Sequence, residues 1–401
     1  MNKKGTLLIC LLLSLGFKGI AWAQPRSDVF PPVTINQPFV VNTFEAPIRV
    51  VPIAVGLANP FDMAFRDNGD ILVTERFTGN LRVIRNGSLL EESIRGVPQV
   101  YSESWRQGLM AVELHPDDDR IVYMTYTKAI MVDGDSEQTV ALVRARIVEN
   151  ELTEVEEIFE AEGLDRGIAA SQLLFAPDNK LMMSIGGAYM YAGIGDYAQD
   201  PTIHYGKLLR LNDDGSVPSD NPFVTSGEYL PEVYTVGHRN QIGLAFHPTT
   251  DQLWATENGP QGGDELNRII REKNYGWPIA TFGTNYNEKI WKIDQTNNTH
   301  TGFEKPIYSW GSTFGISNLI VYESDYFSKW KKNLLISSLV AESLVRAIFD
   351  ENKNTIIYYE NITIGNRIRD ILQSPDGKIV LLTDNLLREK VPELIFLAKA
   401  E

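Results

Sequence analysis

Residues 63–74, MAFRDNGDILVT, hold an apolar run, a polar turn and a second apolar run. The turn contains Asn68-Gly69, which supplies the positive φ that a short hairpin needs. A further apolar stretch carrying an arginine follows at 81–84, LRVI. The same unit recurs along the chain. It is found at 110–118, MAVELHPDD, with 121–125, IVYMT, and 142–147, LVRARI. It returns at 173–179, LLFAPDN, with 181–185, LMMSI, and 207–211, KLLRL. A fourth copy is 244–256, LAFHPTTDQLWAT, and a looser fifth spans 319–322, 334–338 and 344–348. The sixth is 371–377, ILQSPDG, with 379–383 and 394–397.

Repeats of several strands at intervals of about fifty residues signal a propeller. Helical periodicity is nearly absent, so an ordinary sandwich with chance turn similarity fits less well. The expected fold is all-β, a six-bladed β-propeller built as one domain over 39–401. The first copy lacks an outer strand. A strand at Ile48 to Ile53 and the C-terminal strand at 394–397 are expected to join the first and last blades and close the ring. The longest inter-unit segments, 186–205, 213–231 and 279–315, are expected to stand over one face, since loops of that length are usually functional.

The N-terminus reads as a secretory signal. Lys3 and Lys4 precede an apolar run from Leu7 to Phe17, and Ala21-Trp22-Ala23 has the small-x-small pattern of a cleavage site. Cleavage is expected after Ala23, leaving a Pro-rich tether over 24–38 and a periplasmic or secreted protein with no membrane insertion. The apolar run is too short for a comfortable span. Cys10 is the only cysteine and lies in the signal, which excludes disulfides, Cys-zinc sites and thiol nucleophiles from the mature chain. The net charge of −15 argues against nucleic acid and anionic membranes as partners. It leaves room for a small anion held by local arginines.

Two stretches carry chemistry. In 236–278, the polar cluster Gly237-His238-Arg239-Asn240 opens an apolar run, and 257–265, ENGPQGGDE, forms a Gly-rich acidic loop. Arginine offers a planar fork for carboxylates, and oxygen-rich loops suit Ca²⁺. Asp264 and Glu265 read equally well as a solvated acidic turn, because the ligand spacing of an EF-hand is missing. Arg367 and Arg369 are two apart on a strand and share a face. Such a pair can clamp one planar anion, or form surface ion pairs with Asp370 or Asp376.

These stretches, with Gln107-Gly108-Leu109-Met110, 206–215 GKLLRLNDDG, 274–278 NYGWP and 367–370 RIRD, resemble the soluble glucose/sorbosone dehydrogenases. The likeness runs from Val55 to Leu397 and is strongest to the periplasmic aldose sugar dehydrogenases that use pyrroloquinoline quinone (PQQ). It implies hydride transfer from a sugar hydroxyl to the quinone, with an electron acceptor as a further partner. It implies cofactor contacts from Gln107, Arg239, Asn240, Arg367 and Arg369, of which Arg239 also stands at the reacting centre. It implies a Ca²⁺ on the cofactor, held by the carbonyls of Gly259 and Pro260, and a second Ca²⁺ at Glu265 and Tyr275.

The chain departs from the family where the proton is taken. The position of the family's base histidine falls on Ile168, which accepts no proton. The supporting aspartate falls on Gly187. Asp165, Asp196 or a substrate-bound water would then replace the histidine, Asp196 the first of them. The alternative is a catalytically silent propeller that binds quinone, sugar or a protein partner. His115 and His247 precede prolines in blade turns and read as structural.

Overall fold

The computed structural model describes residues 37–102, 107–164, 170–187, 195–284, 299–384 and 391–400. The proposed signal, Asp165, Ile168 and the side chain of Asp196 lie outside the described residues.

The strands form six antiparallel sheets, the blades of a β-propeller. Blade one runs from Pro60–Phe65 to Ser88–Leu89, and blade two from Leu109–His115 to Glu151–Glu160. Blade three runs from Leu173–Phe175 to Val233–Val236, and blade four from Gln241–Phe246 to Tyr308–Trp310. Blade five spans Ile316–Val321 to Thr355–Thr363. Blade six begins with Ile368–Gln373, Ile379–Thr383 and Glu393–Lys399, then takes Ile48–Val55 and Phe39–Val41 from the other end of the chain. The ring is thus closed by the expected pairing. Val50 lies opposite Leu397, so the last blade is completed by strands from the other end of the chain. Blade one has its own short outer strand, Ser88–Leu89, which the sequence does not announce.

Strands such as Leu181–Ile185, Lys207–Leu211 and Ile379–Thr383 are buried at every position. An amphipathic strand would alternate, but blades stack face to face, so both faces of a middle strand meet apolar neighbours. Between blades two and three, Met110, Tyr123 and Leu142 pack with Leu173, Met183 and Leu209. Each full burial of such a side chain is worth about 1.5–3 kcal/mol.

The first strand of each blade lines the axis. Five of these six strands carry a register shift that frees ladder groups. Polar side chains of the neighbouring blades take them up. Val112 N donates to Asp62 (2.8 Å) and Met63 N to Asp370 (3.0 Å), while Asn318 donates to Asp370 (2.6 Å). Acidic and amide residues in an otherwise apolar repeat therefore pin one blade to the next.

All six first strands start on the same face, where Arg239, Asn240, Arg367 and Arg369 stand. One expectation about the loops needs correction. Strand Lys207–Leu211 runs away from that face, so segment 213–231 leaves from the opposite end, where Asp213 lies 3.9 Å from His115. Segments 186–187 and 281–284 do lie on the arginine face, tied to Arg239 and Gln261.

Candidate functional site

The face is assembled by a chain of contacts that passes through every blade. From blade three, Gly187 N donates to Arg239 O (2.8 Å) and Ala170 N to Asn240 Oδ1 (3.2 Å). Arg239 Nη1 donates to Asn258 O (2.8 Å), and Asn258 Nδ2 reaches Ile316 O in blade five (2.7 Å). Ser317 Oγ donates to Arg369 O in blade six. The Arg369 guanidinium lies over the ring of Phe61 in blade one, 5.4 Å from its centroid, and Arg76 lies 4.8 Å from the same centroid. Arg76 O accepts from Leu109 N (2.9 Å), beside buried Gln107 in blade two. The structure thus brings Gln107, Arg239, Asn240 and Arg369 to one face around the axis.

Arg239 is almost wholly buried and its guanidinium lies 5.3 Å from the ring centroid of Trp277. Glu257 holds its backbone N–H (3.1 Å) and also His238 Nδ1 (2.9 Å), while His238 Nε2 meets Thr235 (2.8 Å). Both nitrogens of His238 are engaged, which makes it a strut for the Arg239 segment. His115 and His247 accept turn N–H groups from Asp117 and Thr249, as structural residues do.

Arg367 and Arg369 do clamp one planar anion, and it is Asp384. Arg367 Nε reaches Oδ1 (2.7 Å) and Arg369 Nε reaches Oδ2 (2.8 Å). The expected alternatives, Asp370 and Asp376, are engaged elsewhere: Asp370 in the axial ring, Asp376 with Lys378 and Ser374. Burial raises the Asp384 carboxyl, but the charges of Arg369 and Arg367 together outweigh it and hold the group below its ordinary value.

The 257–265 loop is ordered from within rather than solvated. Asp264 is buried and accepts N–H groups from Gly259 (3.0 Å), Phe314 (3.0 Å) and Gly315 (2.6 Å). Burial pushes its carboxyl above the ordinary value against the pull of these three donors. Gln261 exchanges backbone hydrogen bonds with Thr284, and Gly263 N donates to Trp310 O. The N–H groups of Gly259, Gln261 and Gly263 are spent inward. No described residue donates to the carbonyls of Gly259 or Pro260. A Cβ at Gly259 would sit 2.2 Å from Gly262 O, so only glycine allows this fold of the loop. The Gly259 and Pro260 carbonyls are oxygen donors of the kind a hard cation takes, and the Arg367 and Arg369 forks suit a polyanion.

Glu265 is buried, 3.6 Å from His300 Nε2 and 3.2 Å from Asn267 Nδ2. Burial raises its carboxyl; His300 opposes this and Glu257, its partner across the strands, adds to it. Tyr275 OH is committed to Arg268 O (2.7 Å) and Ile270 N (2.9 Å), so only its carbonyl is left for a metal. Its ring stacks on His238 at 4.5 Å.

Sequence reasoning missed Asp384, Phe61, Arg76 and Asn258. Asp384 follows a strand of the last repeat and had no motif to mark it. It also missed Lys207, whose ammonium is fully buried and donates to Tyr197 O (2.6 Å) and Tyr205 O (3.0 Å). Burial brings it down to about 7. Gly237 N donates to Ala198 O (3.1 Å), which with Lys207 ties the turn Gly195–Ala198, and hence the backbone of Asp196, to this face.

Residues 57–389 match the family model described as glucose/sorbosone dehydrogenase. The chain is 32% identical to "Aldose sugar dehydrogenase YliI" of Escherichia coli (strain K12), over 84% of this chain and 91% of that protein. It is 26% identical to "Quinoprotein glucose dehydrogenase B" of Acinetobacter calcoaceticus, over 83% of this chain and 84% of that one. The solved apo structure of the soluble aldose sugar dehydrogenase from Escherichia coli superposes with a TM-score of 0.80 at 29% identity, covering 88% of this chain and 100% of that chain.

Proposed function

The chain belongs to the glucose/sorbosone dehydrogenase family, and from that membership we propose that it is a periplasmic or secreted PQQ-dependent aldose dehydrogenase whose proton acceptor has been relocated. The observation that carries the reading is the Arg367–Arg369 pair. Asp384 takes one edge of each guanidinium, and Nη1 and Nη2 of Arg367 and Nη1 of Arg369 make no hydrogen bond to a described residue. PQQ bears three carboxylates, and paired forks are suited to such a ligand.

In this reading Arg367 and Arg369 bind the carboxylates, and Asn240 and Gln107 offer amide groups to the rim of the ring system. The carbonyls of Gly259 and Pro260 would hold Ca²⁺. When bound, the quinone with its cation supplies an acceptor for hydride from the sugar. Arg239, held by Asn258 and Trp277, keeps a fixed positive charge beside the reacting centre. Asn258 links that charge to blade five and so fixes its distance from the Arg367–Arg369 pair.

The sugar's hydroxyl proton must pass to a group of this chain or to water. Ile168 cannot take it. Asp196 is the first choice, because its turn is tied to the arginine face, and Asp165 the second. Absence of a placed base costs about two to four powers of ten in rate, so a slow enzyme is expected. Ile168 also favours a second reading, a silent propeller that binds quinone or sugar without turnover. The test is an aldose panel with an artificial electron acceptor, run on protein loaded with PQQ and Ca²⁺. Slow oxidation abolished by Asp196→Asn supports the enzyme with a relocated base. Bound PQQ with no turnover of any aldose supports the silent propeller.

No helix among the described residues is long and apolar enough to cross a membrane. The secreted location is proposed from the N-terminal charge pattern and small-x-small site alone, and the electron acceptor from the chemistry.

A further inference from the structure

Asp384 is buried to 95% and is tied to Arg367 twice. Its own N–H donates to Arg367 O (3.0 Å), and its Oδ1 accepts from Arg367 Nε (2.7 Å). Its Oδ2 accepts Nε (2.8 Å) and Nη2 (2.5 Å) of Arg369. The two guanidinium planes are therefore referenced to one carboxylate, one on each oxygen. Phe61 fixes Arg369 from a further direction. Nη1 and Nη2 of Arg367 and Nη1 of Arg369 make no hydrogen bond to a described residue. The side chains of Arg367 and Arg369 keep 10% and 11% exposure, so these edges are reachable. Two cations and one anion leave a net positive charge in a nearly dry place, where attraction for an anion is poorly screened.

We infer that Asp384 is a positioning residue for the ligand site: by engaging one edge of each guanidinium, it turns the remaining edges of Arg367 and Arg369 toward a single polycarboxylate. This rests on the quinone reading for the ligand's identity. A long arginine side chain samples many rotamers, and a fork held in place loses less freedom when its ligand arrives.

A plain alternative is that Asp384 merely offsets two buried positive charges. The two roles predict opposite signs. Asp384→Asn keeps the shape and removes the charge. If Asp384 only offsets charge, the variant is more cationic and binds an anion more tightly. If Asp384 positions, the new amide N–H faces an arginine N–H, one guanidinium turns away, and binding weakens. Asp384→Glu keeps the charge and moves it by one methylene. Charge offset predicts unchanged binding; positioning predicts loss.

The experiment is equilibrium titration of PQQ, with Ca²⁺ present, into the full chain and the two variants, with thermal unfolding to check that each is folded. The expected result is at least a tenfold loss of affinity in both. Unchanged or tighter binding by Asp384→Asn, or unchanged binding by Asp384→Glu, overturns the inference. Should Asp384→Asn not fold, the Glu variant decides alone. Failure of the parent to bind PQQ would sink the quinone reading by itself. The same proteins are then titrated with citrate, a tricarboxylate without quinone chemistry. Loss of citrate binding in the variants supports positioning, and a parent that binds no citrate, or variants that bind it equally, overturn it.

Discussion

Gly187 and Gly206 pass so closely that a Cβ on Gly187 would stand 2.6 Å from the Cα of Gly206. The contact is backbone against backbone, so no side-chain rotation relieves it. Gly187 N also donates to Arg239 O (2.8 Å), which links this close approach to the arginine face. The family resemblance puts the supporting aspartate at this glycine. The packing of blade three leaves no room for such a side chain here.

Restoring that carboxylate should fail. Gly187→Asp forces the two segments apart and should cost at least about 1–3 kcal/mol, the usual range for overpacking. Urea unfolding should show a lower midpoint. A variant as stable as the parent would show that the segments separate freely, and Ile168→His with Gly187→Asp would then become a fair reconstruction of the missing base.

Lys207 makes stability depend on pH. Burial lowers its ammonium from 10.5 to about 7 in the folded chain. Between these values the unfolded chain binds more protons, so this contribution to stability rises with pH across that window. The slope is at most about 1.4 kcal/mol per pH unit for one proton. Lys207→Met loses the hydrogen bonds to Tyr197 O and Tyr205 O at every pH, but it also loses the titration. Chemical unfolding across the window should show the parent gaining on the variant as pH rises. Parallel curves would mean that Lys207 keeps its ordinary proton affinity.

Asp62 and Asp370 face one another at the axis, and the sign there is reversed. Burial raises Asp62, and the charge of Asp370 raises it further; burial raises Asp370 as well. The folded chain holds more protons than the unfolded one, so this contribution is complete at low pH and is lost as pH rises through the folded value. Asp62→Asn keeps a carbonyl for Val112 N and cannot ionise. It should lose less stability than the parent when pH is raised from about 5 to about 8, a range above the ordinary carboxylate value. A variant with the parent's pH dependence would assign the proton elsewhere.

The blades were legible because their cause is local. Asn68-Gly69, Pro177-Asp178 and Pro375-Asp376-Gly377 set hairpins, and apolar runs on both sides set strands that stack. Ring closure was legible from Ile48–Val55 for the same reason. The face reached by segment 213–231 was not, because it depends on the direction of Lys207–Leu211 rather than on composition. The arginine pair was visible in sequence, but its partner was not. Asp384 lies 15 residues beyond Arg369, and only the return of the next strand brings them together. Asp264 read equally well as a solvated turn because its contacts with Phe314 and Gly315 come from about fifty residues away in the chain. Ile168 stayed visible only as a departure from a family pattern.

The central claim is that the Arg367–Arg369 face holds PQQ with Ca²⁺. The most direct measurement is calorimetric titration of PQQ into the parent and into Arg369→Ala, each with Ca²⁺ and with a chelator. The parent should bind with Ca²⁺ and lose most of that affinity with the chelator. Arg369→Ala should bind at least tenfold more weakly, since losing a desolvated charge-assisted contact costs on the order of 2–5 kcal/mol. Binding of PQQ that is the same in both proteins, or indifferent to Ca²⁺, would contradict the account.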